Sequence, residues 1–426
     1  MLPLVVLLVS PACRGADWPQ WRGPERNGIA AEVSGWPGNW PPKLLWRRNV
    51  GCGCSSPVLA GGRLYVMGWH QKGSPQGSDT VLCLDPLTGA EIWSRSYPCL
   101  RYGRVKTGDE GSYGGPSSTP TYDTATGFLY TLSIDGDLRC WNGRQNGAPV
   151  WALNLYEEYK VPQRPDVGGG RRDYGFTSSP LPLGSTIVVE VGAGEGTVMA
   201  FDKKTGERRW ASTCTEPAGH SGGPVLIDVE GKPCLATLAL RKLVVMRLDP
   251  GRDGETLAEY QRATDFGCNI PTPAVLGNRL VLTSGYNQHR TTLVEILSSG
   301  AVERWNASEH AVVCSPVIYK GRVFMVSGPL FCLDLATGKR KWAGGKFGNG
   351  TCLITAGDDK VLVFGNGQLV LVDAAPAAAG YRELARVPNL VPDICYPHVA
   401  ISDGIIACKD KGGNLVCLSV RGRQAR

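Results

Sequence analysis

The chain has 426 residues, with 45 Lys and Arg against 38 Asp and Glu, a formal net charge of +7. Gly (56) and Pro (30) are abundant among 42% apolar residues and no helical period is sustained, which excludes a helical bundle and favours many short strands. The charge excess is scattered, with no basic stripe interleaved with aromatics, so no nucleic-acid partner is expected; no apolar run after the N-terminus is long enough to span a bilayer.

Residues 1–16 open on an apolar run from Leu2 to Val9 and end on small residues. They are expected to be a secretory signal cut near Gly15 or Ala16, with a lipoprotein cut before Cys13 as the alternative. This predicts a periplasmic or cell-envelope protein. Residues 17–43 hold Trp18, Trp21, Trp36 and Trp40 among Pro and Gly. They are too irregular for a strand or helix and read as an arm packed on the body. Residues 44–50, LLWRRNV, read as a lone strand.

Repeats follow. Each begins with a small polar pair and Pro, continues through three apolar strands and an Asp/Thr-Gly turn, and ends on a strand bearing Trp. The first runs from Ser55-Ser56-Pro57 to Trp93, the second from Ser118-Thr119-Pro120 to Trp151, and the third from Ser178-Ser179-Pro180 to Trp210. The fourth starts at Gly222-Gly223-Pro224 and ends near Tyr260 in place of Trp. The fifth runs from Pro271-Thr272-Pro273 to Trp305, and the sixth from Cys314-Ser315-Pro316 to Trp342. The seventh, 351–387, is degenerate, with Leu384 where Trp would be. The eighth starts at Pro397-His398 and stops at Val420 after three strands.

The spacing, roughly 40–60 residues, suits four-stranded propeller blades. The truncated eighth repeat and the lone strand at 44–50 complement each other. Together they make one composite blade, which closes the ring and leaves no free edge. The expected fold is an all-β, eight-bladed propeller over 44–420, followed by a basic tail at 421–426.

In the hairpin at 330–342, LFCLDLATGKRKW, Asp334 can accept from amides ahead of it, Gly338 can take the left-handed conformation of a bulged turn, and Trp342 needs a packing partner. VLCLDPLTGAEIW (81–93) and VMAFDKKTGERRW (198–210) repeat it. These Asp-x-x-Thr-Gly-x-x-x-Trp hairpins resemble the repeats of the pyrroloquinoline quinone (PQQ)-like β-propeller family. The segment WPQWRGPERNG (18–28) resembles the N-terminal signature of exported members found in planctomycete-type bacteria. The resemblance implies the propeller fold. For function it implies two things, because the family holds quinoprotein dehydrogenases and also an outer-membrane assembly lipoprotein that carries no quinone. The dehydrogenases are known for a Ca²⁺ held by carboxylate and amide, an Asp base, a Trp on the quinone and often a disulfide between adjacent Cys. This sequence has no Cys-Cys pair, no Trp in the loops before the innermost strands, and loop carboxylates (Asp109, Glu110, Asp173, Asp265) without a cation-binding arrangement. PQQ with Ca²⁺ is therefore disfavoured, and no cofactor, metal or catalytic residue is assigned.

Candidate ligand-binding residues sit in the loops before each innermost strand, around the channel mouth: Tyr113, Tyr174, His220, Asn269, His310, Tyr396 and His398. They read as a polar, partly aromatic pocket, or as side chains that cap strands and fill the channel. Two of these loops are long. Residues 98–115 carry Arg101, Arg104 and Lys106, and 154–177 carry Lys160, Arg164, Arg171 and Arg172. Arg101, Arg104, Arg171 and Arg172 are expected to form a basic patch for an anionic glycan, a lipid headgroup or an acidic envelope protein, or else belong to a solvated, mobile lid. The 15 cysteines are mostly expected to be free and structural, with Cys52, Cys54 and Cys99 open to pairing. The resulting expectation is a monomeric, non-catalytic binding or scaffold propeller of the periplasm or envelope. A PQQ-dependent oxidoreductase and a polysaccharide-acting enzyme are the alternatives.

Overall fold

A computed structural model describes residues 16–71, 76–103, 113–375, 377 and 379–422. Residues 1–15 of the expected signal, Arg104, Lys106, Asp109 and Glu110 of the first long loop, and 423–426 of the tail lie outside the described residues. The strands fall into eight four-stranded antiparallel blades, one of which gains a fifth, parallel strand. Blades 1 to 7 span 58–98, 121–154, 181–211, 225–261, 274–307, 317–348 and 351–387. Blade 8 takes its inner three strands from 400–419 and its outermost from Lys43–Asn49, paired antiparallel with Asn414–Ser419. The composite blade read from the sequence is the closure of the ring.

The inner strands of each blade are apolar on both faces because each is sandwiched between neighbouring blades; Val361–Val363 and Ile405–Ala407 are buried throughout. The outermost strands alternate or face solvent, as Lys43–Asn49 does. The hairpin turns are built as their side chains dictate. Asp334 Oδ1 accepts from the Thr337 amide at 3.0 Å, and the Gly338 amide donates to Asp334 O at 2.8 Å. Gly338 has φ +71, and the register slips one residue between Cys332 and Leu333. The turn also explains the Trp. A Cβ on Gly338 would lie 2.6 Å from the ring of Trp305, which belongs to the preceding blade. Trp305 Nε1 donates to Leu335 O at 2.9 Å, Trp46 to Pro86 O at 3.0 Å and Trp151 to Lys203 O at 3.0 Å. Each of these Trp residues therefore locks its blade onto the turn of the next.

The arm does more than pack on the body: it enters the channel from the face opposite the mouth. Asp17 and Trp18 start beside the far end of blade 1, where Trp18 bridges to Leu59. The chain rises to Trp21, then descends to run parallel to blade 7 at Ile29–Ala30. It leaves at blade 8, where Glu32 accepts from the Asp403 and Gly404 amides. On the way the Tyr122 amide donates to Pro19 O, and Trp21 Nε1 donates to Thr272 Oγ1 at 3.2 Å. The buried Arg22 donates to Pro316 O, and the buried Arg26 to Ser179 O, Pro180 O and Pro224 O. The arm thus touches every blade. It also satisfies carbonyls of the small-residue-Pro segments, which no ladder pairs.

The 154–177 loop is not a loose lid. Asn154 caps a short helix, Leu155–Tyr159, and the buried Arg164 pairs with Asp173 at 2.5 Å. Arg164 therefore belongs to the interior and not to the surface positive charge of this loop. The described cysteines are all free, Cys52, Cys54 and Cys99 included. Cys314 and Cys352, on adjacent blades, approach to 3.9 Å between sulfurs, yet they occupy different places in the repeat.

Candidate functional site

The loops before the innermost strands converge on the mouth, as their Pro-anchored positions dictate. They enclose a pocket of about 830 Å³, its opening included. Tyr113, Tyr174, His220, Tyr396 and His398 all line it. Tyr113 stacks on Tyr396 (centroids 6.0 Å) and meets Tyr174 edge-on (6.1 Å), and Tyr174 in turn meets His220 edge-on (5.1 Å). The wall is thus a continuous aromatic arc. Asn269 and His310 are not part of it. Asn269 is buried and gives its amide to Ala239 O, Leu240 O and Arg262 O. His310 bonds Ser308 O and packs edge-on against His289.

The residue that sequence reasoning missed is Trp21. It comes from the arm, through the channel, and forms the pocket floor against His398 at 4.5 Å. A Cβ on Gly222 would lie 2.5 Å from its ring, so the floor is tightly seated. The only signal for it was four Trp residues in a segment with no strand to put them on. Cys54 also lines the pocket, with its thiol pushed up to about 11 by burial, which makes it an inert apolar wall.

Among the described residues, none that lines the pocket is Asp, Glu, Lys or Arg. Burial, reinforced by Arg164, holds His220 down at about 3, and burial holds His398 well below the ordinary imidazole range. Both rings are therefore neutral at pH 7. His220 Nδ1 sits 2.9 Å from Gly267 O, a bond that only Nδ1–H can make, so Nε2 is a bare acceptor. Nε2 of both His220 and His398 is screened from water and has no hydrogen-bond partner. Behind the wall lies Glu190, buried between the second strands of blades 3 and 4 and pushed up to about 7 by burial. It accepts from Ser221 Oγ (3.2 Å) and Thr237 Oγ1.

The basic residues fringe the mouth. Arg101 lies over Trp69 and Tyr102, Arg172 over Phe266 at 4.1 Å, and Lys411 over Tyr113 at 5.7 Å. Arg171 pairs with the exposed Asp166 at 3.0 Å. Among the described residues no group of three or more His, Cys, Asp or Glu is placed to hold a metal ion. Among the described residues, three donors near the mouth that could serve a hard cation are engaged elsewhere: Asp173 with Arg164, Glu190 with two hydroxyls, and the Asn269 amide with backbone. Trp21 offers a flat floor, but the rest of the lining does not fit PQQ with its metal.

The fold has solved counterparts. The chain superimposes on quinohemoprotein alcohol dehydrogenase from Comamonas testosteroni (TM-score 0.63, 15% identity, 96% of this chain and 81% of that one). It superimposes on BamB from Moraxella catarrhalis with TM-score 0.57 and 12% identity, over 89% of this chain and 99% of that one. At these identities the likeness is one of fold. No curated protein matches the sequence. The family described as outer membrane protein assembly factor BamB matches residues 77–344, more than half of the chain, and the protein belongs to that family.

Proposed function

We propose that this protein is a non-catalytic binding propeller of the cell envelope whose recognition face is the channel mouth. The carrying observation is the pocket itself: aromatic, uncharged, and closed beneath by Trp21 of the arm. Such a cavity suits holding a ligand: among the described residues its lining carries no carboxylate, and its two imidazoles are neutral with Nε2 covered. Ser221 donates away from the cavity to Glu190, which does not line it, and Cys54 is held as the thiol. The family's description, an outer membrane protein assembly factor, supports an envelope setting and a protein partner. An apolar leader at 1–16 is consistent with export.

The test places a photo-crosslinking residue at Arg101, on the rim, and separately at Leu87, exposed on a turn at the opposite face. Illumination of the protein in an envelope fraction should give discrete adducts from position 101 and none from 87. Adducts from both positions alike, or from neither, would overturn the assignment of the face.

A further inference from the structure

We infer that the mouth pocket takes one aromatic side chain from an acidic segment of a partner polypeptide, with the ring seated on the aromatic arc. This rests on the binding reading above and names the ligand chemistry. The wall presents rings without charge, so a charged side chain or a phosphate entering it would lose its water and gain no counter-ion. A flat apolar ring loses little water and gains edge and face contacts with Tyr113, Tyr174 and Tyr396.

The two imidazoles add no charge to this wall: both are held neutral and Nε2 of each is covered, so an entering ring meets their faces and edges. A sugar ring fits less well. A neutral sugar brings no charge to meet the cations that fringe the mouth. The flanks of the segment follow from the cations at the rim, Arg101, Arg172 and Lys411.

The probe is a dye-labelled Gly-Asp-Trp-Asp-Gly peptide, amidated and acetylated, followed by fluorescence anisotropy against the whole protein. The expected result is saturable binding that falls roughly tenfold or more when Ala replaces Trp in the peptide, and by a similar factor in Ser117→Trp, which fills the pocket from its wall. Leu in the peptide, apolar but without a ring, should bind more weakly than Trp, and the fold of Ser117→Trp is checked by its thermal midpoint. Trp and Ala peptides binding alike, or a neutral oligosaccharide displacing the Trp peptide from the pocket, would overturn the inference. If adducts still form at position 101 while every peptide fails, the binding reading stands and the aromatic ligand is wrong. If adducts fail as well, the binding reading falls with it.

Discussion

Arg26 offers the sharpest test of the arm. Its guanidinium donates to three backbone carbonyls, Ser179 O, Pro180 O and Pro224 O, and to the Gln20 side chain, all out of contact with water. Burial pulls its basicity down to about 9, so the cation is held there against a desolvation cost. Arg26→Ala strands the three carbonyls at about 1–3 kcal/mol each, offset by release of the buried charge and by water entering the gap. The net loss is expected to be about 3–5 kcal/mol, comparable to breaking a buried ionic contact. In urea this lowers the midpoint by on the order of 1 M, since the denaturant slope of a large protein is a few kcal/mol per M. Arg26→Lys should recover little, because an ammonium cannot span carbonyls from two blades with a planar fork. The assay is equilibrium unfolding by tryptophan fluorescence and circular dichroism. A lysine variant that unfolds with the wild type would refute the idea that the arm holds the channel through this fork.

Other outcomes follow from the same structure. Gly338→Ala combines a left-handed φ with a clash on Trp305 and should cost about 2–4 kcal/mol, read as a lower thermal midpoint. Glu190 has its folded value raised by burial to about 7, above its unfolded range, so stability is full below about pH 4 and is lost as pH rises through about 7. Glu190→Gln should therefore flatten the dependence, narrowing by up to about 2 kcal/mol the difference between unfolding at pH 5.5 and at pH 8.5. Trp46→Ala, which frees the closing strand from the turn of blade 1, should cost about 3 kcal/mol and speed hydrogen exchange in 43–49 before other outer strands.

The ring was legible because its information is repeated. An Asp that caps a turn, a Gly at positive φ and a Trp laid on the next turn recur at fixed offsets, and the missing strands of blade 8 stood plainly at the other end of the chain. The mouth was half legible. Tyr113, Tyr174, His220, Tyr396 and His398 share a pocket because the Pro residues after them align the loops. Asn269 and His310 stand in the same alignment, yet Asn269 turns to backbone carbonyls and His310 to His289, choices that spacing does not encode. Trp21 and Arg26 were illegible as channel residues. Their partners lie 251 and up to 198 positions away, and nothing local distinguishes a segment lying on a surface from one threaded through it.

That threading sets an order of events. The segment 17–49 is made before any of the blades, yet it has partners on every one, including strands that end at Ser419. While the chain is still growing, Trp18, Trp21 and the two guanidiniums have nowhere to go, and contacts across such a separation are slow to form. Residues that precede every blade are thus among the last to be housed. Until the eighth blade exists, the nascent protein is an open arc with two raw edges and an aromatic tail, a species that needs shelter from its own kind.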